Sequence, residues 1–460
     1  MAENDKDKLL RLLVRRTPEG LLLARMQALG FWPAGLGLPP DPPEEAEERA
    51  QVEREIRELV ASRSATSDPE AALAEERRRR WADSKKRRAE VRAKREEEQK
   101  NRRETWESAR KDMLVYAGRG VGRGLDERSS DVDALKTRGL PVFHSSNGLA
   151  VAMELPLSRL RWLTFHRKGA TIVHYHRYEV PKKTGGMRAI SAPKPELAAA
   201  QRWVLENILE RLPTEPPAHG FVPGRSIVTC AAPHVGRAVV LNMDVRDFFP
   251  SITFRRVKGL FKSLGYSEHV ATVLGLLCTE PPRLHVEVNE RDYHVALGER
   301  MVPQGACTSP AITNLICRDL DRRLAGIARR RGFAYTRYAD DLTFSGEDPR
   351  AVGGFLSLVR AILQDEGLEE HDQKTRVMRR GRRQQVTGVT VNDRMGADRR
   401  YIRELRAILY NAARYGLDSQ NREGHPHFEA YLRGRIEFVS MVDPRRRPQL
   451  EALLARARGQ

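Results

Sequence analysis

The sequence predicts an α+β protein preceded by a charged helical region, and three observations carry that expectation. Downstream of about Gly139, apolar runs of strand length alternate with amphipathic helical patterns, which points to mixed secondary structure rather than an all-helical chain. From about Pro43 to Asp112 the composition shifts to charged helix formers with few large apolar residues, as in EEAEERAQVEREIRELV and EERRRRWADSKKRRAEVRAKREEEQKNRRE. In RYADDLTFSG, Arg337 to Gly346, two aspartates sit side by side at a turn between strand-like segments.

Whole-chain numbers bound what such a protein does. With 460 residues and 40% hydrophobic composition, there is room for two or three domains with a real core. The 81 Lys and Arg against 62 Asp and Glu leave a formal net charge of +19. That balance is the footprint of a polyanion partner, nucleic acid first and an anionic membrane surface second. There is no apolar run of the roughly 18 residues a membrane span needs. The start MAENDKDKLLRLLVRR lacks an uninterrupted apolar core before a cleavage site, so a cytoplasmic protein with no membrane partner is expected. Cys230, Cys278, Cys307 and Cys317 show no CxxC spacing, which speaks against a zinc site and for reduced thiols.

In chain order, the charged region comes first. It offers too little apolar surface to bury, so its helices are expected to be solvated, extended or ordered on a partner, and its basic half is suited to RNA. AGRGVGRGLDERSS, Ala117 to Ser130, reads as a hinge. Further on, Val239 to Met243 is a buried-strand run ending in Asp244, and SITFRRVKGLFKSLG resumes with helical periodicity. PQGACTSPAITNLICRDLDRRLAGIARRRG then predicts one long helix. Ser309 and Pro310 start it, Ile312, Ile316, Leu320, Leu324 and Ile327 form its stripe, and Gly332 closes it. FAYTRYADDLTFSG reads as strand, tight turn, strand.

Aspartate is a favoured turn residue, so the pair at 340 and 341 means little by itself. Asp244 changes that, because a strand ending there can lie beside the hairpin and bring three carboxylates together. Converging carboxylates are tolerable when cations neutralise them, and magnesium, a hard ion that takes a few carboxylates plus phosphates and water, fits. Two such ions, about 3.5–4 Å apart, would clamp an in-line displacement at phosphorus, which is nucleotidyl transfer.

Tyr338-Ala339-Asp340-Asp341, with Asp244 upstream and Pro303-Gln304-Gly305 between them, resembles the catalytic signature of reverse transcriptases. The likeness spans roughly Gly139 to Asp443. GLPVFHSSNGLAVAMELPLSRLRWLTFHR and YHRYEVPKKTGGMRAISAPKPELAAAQRWVLENIL resemble the fingers of bacterial retron reverse transcriptases. HGFVPGRSIVTCAAPH resembles the retron segment that usually reads Asn-Ala-x-x-His; Cys230 replaces the Asn while Ala231 and His234 remain. Val386-Thr387-Gly388 is similar to the second retron marker.

The resemblance implies a right-hand polymerase: a charged extension and linker over 1–138, fingers over 139–238, an antiparallel-sheet palm over 239–392 and a helical thumb over 393–460. It implies Asp244 and Asp340 as principal ligands of two Mg2+ ions, Asp341 in support and the Val245 carbonyl assisting. Phe249 would lie under the sugar of the incoming nucleotide, with Phe248 the core ring. Lys374 would protonate or neutralise the leaving pyrophosphate, although His371 stands where related sequences often carry Asn. Two further expectations come from the residues themselves. Lys182, Lys183 and Arg188 put cations on a glycine-turned hairpin that can fold over a triphosphate. Gln304 and Gly305 precede a helix start, where an amide can touch the nucleotide and a missing Cβ lets backbone approach it. His174, His176, His425 and His427 have no Cys nearby to complete a metal cage and read as structural or RNA-facing.

The expected activity is RNA-directed DNA synthesis from dNTPs. For a retron the template and primer are one dedicated structured non-coding RNA, synthesis starts from the 2′-hydroxyl of an internal guanosine, and the product is a branched RNA–DNA hybrid. An anti-phage role with an effector protein encoded nearby is part of that implication. The rival readings are a non-retron defence or group II intron-like reverse transcriptase, and a catalytically idle RNA-binding protein.

Overall fold

The computed structural model describes residues 18–37, 43–63, 69–182 and 185–459. Lys183 and residues 1–17 lie outside the described residues. The chain divides into two units, 1–102 and 103–460. The first holds α1 (Pro18–Ala28), α2 (Pro43–Arg63) and most of the 44-residue α3 (Pro69–Asp112). α3 has no apolar stripe, and its described side chains up to Arg102 are exposed. Ion pairs one turn apart, Glu76 with Arg80 at 3.1 Å and Arg92 with Glu96 at 2.8 Å, support it only weakly because water competes for both partners. Among the described residues no helix is long and apolar enough to cross a membrane.

In the second unit the glycine-rich stretch is packed rather than loose: Leu114, Ala117, Val121 and Leu125 are buried with Phe254 and Leu276. The fingers follow, with α4 (Val132–Thr137), α5 (Ser146–Ala152), α6 (Leu157–Thr164), the short β1 (Gly169–Ala170), the hairpin of β2 (Tyr175–Pro181) and β3 (Met187–Pro193), α7 (Pro195–Val204) and α8 (Ile227–Ala231). After β4 (Val239–Asp244) and α9 (Phe254–Ser263) comes α10 (Glu268–Cys278), in which every residue from His269 on is buried. Its nearly all-apolar sequence leaves no face for water, so it forms the centre of the largest core, with Leu160, Ile208 and Phe261 around it. β5 (Arg283–Val288) and β6 (Arg291–Ala296) form an exposed hairpin that pairs with β1.

The single long helix expected after Pro303-Gln304-Gly305 is two: α11 (Ser309–Ile316) and α12 (Arg318–Arg330), separated at Cys317. Ser309 does not act as the cap; its hydroxyl donates instead to the Pro303 carbonyl at 2.7 Å, which ties the helix start back onto the preceding loop. Ile312, Leu320 and Leu324 of the expected stripe are buried, whereas Ile316 and Ile327 stay partly exposed, since the break at Cys317 shifts the helical phase.

β7 (Phe333–Tyr338), β8 (Asp341–Gly346) and β9 (Arg376–Arg379) complete the palm, an antiparallel sheet in the order β7-β8-β4-β9. Strand alternation splits its faces. Val239, Leu241 and Met243 pack with Phe344, α12 and α13 (Val352–Asp365). Val240 faces the other way, towards the two-residue strands β10 (Gln385–Val386) and β11 (Val389–Thr390). The thumb is α14 (Arg399–Tyr415), α15 (Phe428–Val442) and α16 (Arg447–Ala457), joined by Leu405, Leu409, Leu432, Ile436 and Leu450.

Candidate active site

Register alone brings the carboxylates together. β4 and β8 pair so that Asp244 stands opposite Asp341, and β7 and β8 pair Tyr338 with Asp341, which leaves Ala339 and Asp340 as a two-residue turn. Ala339 takes φ 56°, a conformation that L residues adopt only when neighbours enforce it. Two contacts enforce it here. Gly220 lies so close that a Cβ on it would sit 2.6 Å from the Ala339 amide nitrogen. Arg337 Nη1 donates to the Ala339 carbonyl at 3.2 Å and to Asn314 Oδ1 at 3.0 Å, while Asn314 donates to the Gly220 carbonyl at 2.9 Å.

Arg337 is itself held by a fully buried ion pair. Its Nε and Nη2 reach the two oxygens of Asp321 at 2.8 and 2.6 Å, and the Tyr335 hydroxyl donates to Asp321 at 2.8 Å. The sequence reading missed this network. Its one local signal is Asp321 itself, a carboxylate one turn after Cys317 and three residues before Leu324, on the apolar side of its helix.

The turn opens onto a cleft of about 1120 Å³ whose wall includes Lys182, Gly185, Arg188, Asp244, Val245, Phe248, Gln304, Asp340, His371 and Lys374. Burial, then the Asp244 charge, holds the Asp340 carboxyl above the usual range. Although Asp341 keeps contact with solvent at the strand end, desolvation by the surrounding protein, then Asp340 and Asp244, pushes its carboxyl up to about 7. The three charges therefore crowd one another. Lys374 Nζ offsets part of that by lying 2.8 Å from Asp244 Oδ1.

Among the described residues no three His, Cys, Asp or Glu side chains form a ready metal cage. The donors nevertheless fit a hard cation. They are carboxylate oxygens under mutual repulsion, on a cleft wall where buried His371 Nδ1 has no partner among the described residues. The His371 amide holds the strand end in place by donating to the Asp244 carbonyl at 2.8 Å.

The other expected residues are placed as follows. Lys182 donates from its amide to the Gly186 carbonyl at 2.9 Å in a tip where Gly185 and Gly186 take φ of 89° and 80°. The Arg188 charge reaches Asp340 and draws its carboxyl down, against burial. Gly305, at φ 117°, admits the backbone of Ser191: an added Cβ would lie 3.0 Å from the Ser191 carbonyl, and the Ser191 amide donates to the Gln304 carbonyl at 2.7 Å. Its missing side chain thus lets β3 of the fingers dock onto this loop.

Phe248 is 3% exposed within the palm core, and Phe249 is partly buried where the two largest cores meet. The cleft wall runs over Phe248 rather than Phe249, so the two rings form a paired test. With Phe249 under the sugar, Phe249→Val raises ribonucleotide incorporation relative to dNTP by about tenfold or more in single-nucleotide extension, and Phe248→Val does not. The opposite pattern moves the assignment to Phe248.

The two segments likened to retron markers meet behind the sheet. Cys230, Ala231, Val240, Val386, Val389 and Val391 form one buried cluster. His234 bonds Ser345 Oγ at 2.7 Å through Nδ1 and Thr336 Oγ1 at 2.8 Å through Nε2. Burial drives its imidazole down to about 3, so it is neutral. Cys230 Sγ lies 3.3 Å from the same Thr336 hydroxyl, which also donates to the Cys230 carbonyl at 3.1 Å. Thr387 and Gly388, at φ 46° and 87°, form the turn of the β10–β11 hairpin, which explains the glycine there.

An antiparallel palm sheet that carries Asp244 and Asp340 on a cleft walled by the fingers hairpin, with Asp341 paired to Asp244 and a helical bundle at the end of the chain, is the architecture of a template-directed polymerase. Residues 180–391 match the family described as reverse transcriptase (RNA-dependent DNA polymerase). The retron Mx65 reverse transcriptase of Myxococcus xanthus is 45% identical over 350 residues, 76% of this chain and 80% of that one. The retron Mx162 reverse transcriptase of the same organism is 43% identical, covering 74% of each chain. The retron Ec86 reverse transcriptase of Escherichia coli is 34% identical over 67% of this chain and 88% of its own. The chain belongs to the retron reverse transcriptases, and its activity is that of an RNA-directed DNA polymerase.

Proposed function

We propose that this enzyme copies a dedicated structured non-coding RNA into branched, RNA-linked single-stranded DNA in the cytosol. Synthesis starts from the 2′-hydroxyl of a guanosine within that RNA and consumes dNTPs. What supports the chemistry above all is the pairing of Asp244 with Asp341 beside the Ala339–Asp340 turn at the cleft. The anti-phage role and an effector encoded nearby rest on the family resemblance alone.

In this reading Asp244, Asp340 and the Val245 carbonyl hold magnesium, with Asp341 adding negative charge behind them. Bound there, two Mg2+ ions supply the Lewis acidity for displacement at phosphorus. Lys374, whose Nζ lies 2.8 Å from Asp244 Oδ1 on the cleft wall, protonates or neutralises the leaving pyrophosphate. Lys182 and Arg188, on the β2–β3 hairpin, clamp the triphosphate together with Lys183. Gln304 and the docked Gly305 loop orient the nucleotide, and Phe249 excludes a 2′-hydroxyl. Chelating divalent cations abolishes dNTP incorporation on a primed RNA template, and added Mg2+ restores it. Synthesis that continues in excess chelator overturns the metal assignment.

A further inference from the structure

Along α3, Trp81, Lys85, Arg88, Arg92, Arg95, Gln99 and Arg102 recur at alternating steps of four and three residues, all exposed. That spacing places them on one face of a helix, a straight line about 31 Å long at 1.5 Å per residue. No carboxylate falls within it. Asp83, Glu90 and Glu97 recur every seventh residue and therefore run along the opposite face. Lys86 and Lys94 share that opposite face, so what sets the line apart is that its cations have no carboxylate among them.

The line occupies the positions where a coiled coil would carry its apolar seam. Cations there repel a second copy of the helix and leave nothing for an apolar groove to hold. A helix without an apolar face also has nothing to bury in a lipid interface. Cations about 5 Å apart on a rigid rod instead suit a rigid row of phosphates. Trp81, 69% exposed with Lys85 Nζ 5.3 Å from its ring centroid, offers at one end a surface on which an unpaired base can stack.

We infer that this face of α3 binds the phosphate backbone of a double-stranded RNA stem, as a second RNA contact outside the polymerase cleft. The inference rests on reading the substrate as a structured RNA. Binding there is electrostatic and indifferent to sequence, and it raises the local concentration of the RNA that the cleft copies. The Arg92–Glu96 pair does not oppose it, because an exposed pair exchanges readily with a phosphate.

The test uses the full chain with Lys85→Gln, Arg88→Gln, Arg92→Gln, Arg95→Gln and Arg102→Gln combined. All five are good helix positions for Gln, and circular dichroism checks that helix content is kept. The probe is a hairpin RNA of about 20 base pairs. Its affinity falls by about two orders of magnitude at near-physiological salt, and the slope of log K against log salt flattens by about 4. Extension of a short primed RNA oligonucleotide stays unchanged. Trp81→Ala weakens binding of a hairpin with an unpaired overhang more than that of a blunt one. Unchanged affinity and salt slope in the five-residue variant overturn the inference, as does loss of binding to phosphatidylserine vesicles with RNA binding intact. If the unmodified protein extends no RNA-templated primer, the polymerase reading fails instead, and that outcome is separate.

Discussion

Asp340→Asn combined with Asp341→Asn lowers dNTP incorporation on a primed RNA template by at least about three orders of magnitude, while affinity for the RNA changes by no more than about twofold. Asparagine keeps the size and the hydrogen-bonding reach of the side chains, so the Ala339–Asp340 turn survives. What disappears is the charge that gathers cations at the cleft. The same substitution relieves repulsion, since partial desolvation and mutual charge hold both carboxyls above their ordinary range. Thermal unfolding without added metal therefore shows a midpoint at or above that of the unmodified protein, the usual signature of a site kept for function at a cost in stability. Substantial activity in the double variant contradicts the assignment of these residues.

Asp321→Ala has the second large effect, and it acts from inside the palm. Removing this carboxylate strands the fully buried Arg337 guanidinium, at a cost of about 3–5 kcal/mol. A fall in Tm on the order of 5–10 °C follows for a unit of this size. Activity drops as well, because Arg337 no longer fixes the Ala339 carbonyl and the aspartate turn loosens. Combining Asp321→Leu with Arg337→Met separates the two consequences. Replacing both charges by apolar groups recovers much of the stability. The turn still lacks its donor, so kcat stays depressed even where Tm returns. Recovery of both together means that the pair serves stability alone.

The parts of this site that were legible in the sequence are those with local causes. Val239 to Asp244 and the hairpin around Asp340 announce themselves through strand periodicity and turn chemistry, and Gly185 and Gly186 through the tip they form. The buttress behind the turn was not legible. Asp321 on the apolar side of its helix hints at burial, but nothing in either segment names Arg337, 16 residues away on a strand, as its partner. Gly305 was readable as a close approach, but the partner, Ser191, lies in the fingers hairpin and only the tertiary fold supplies it.

Cys230 is the instructive case. It stands where the segment it resembles usually carries Asn, and its thiol and carbonyl both meet Thr336, more than 100 residues away in sequence. A small, buried, weakly polar group suits that position beside the valines of the Val386–Gly388 hairpin. The break at Cys317 has the same moral in reverse, since an apolar stripe continued through a point where the helix does not.

The most direct test of the central claim is the state of the DNA that accompanies the enzyme when it is purified from cells expressing its native locus. Self-priming from an internal 2′-hydroxyl leaves a short DNA joined to RNA by a branch. That joint survives heat and denaturant, keeps the DNA 5′ end blocked after ribonuclease trimming, and opens only with a debranching activity. Linear DNA with a free 5′ end, or DNA attached to the protein itself, contradicts the account.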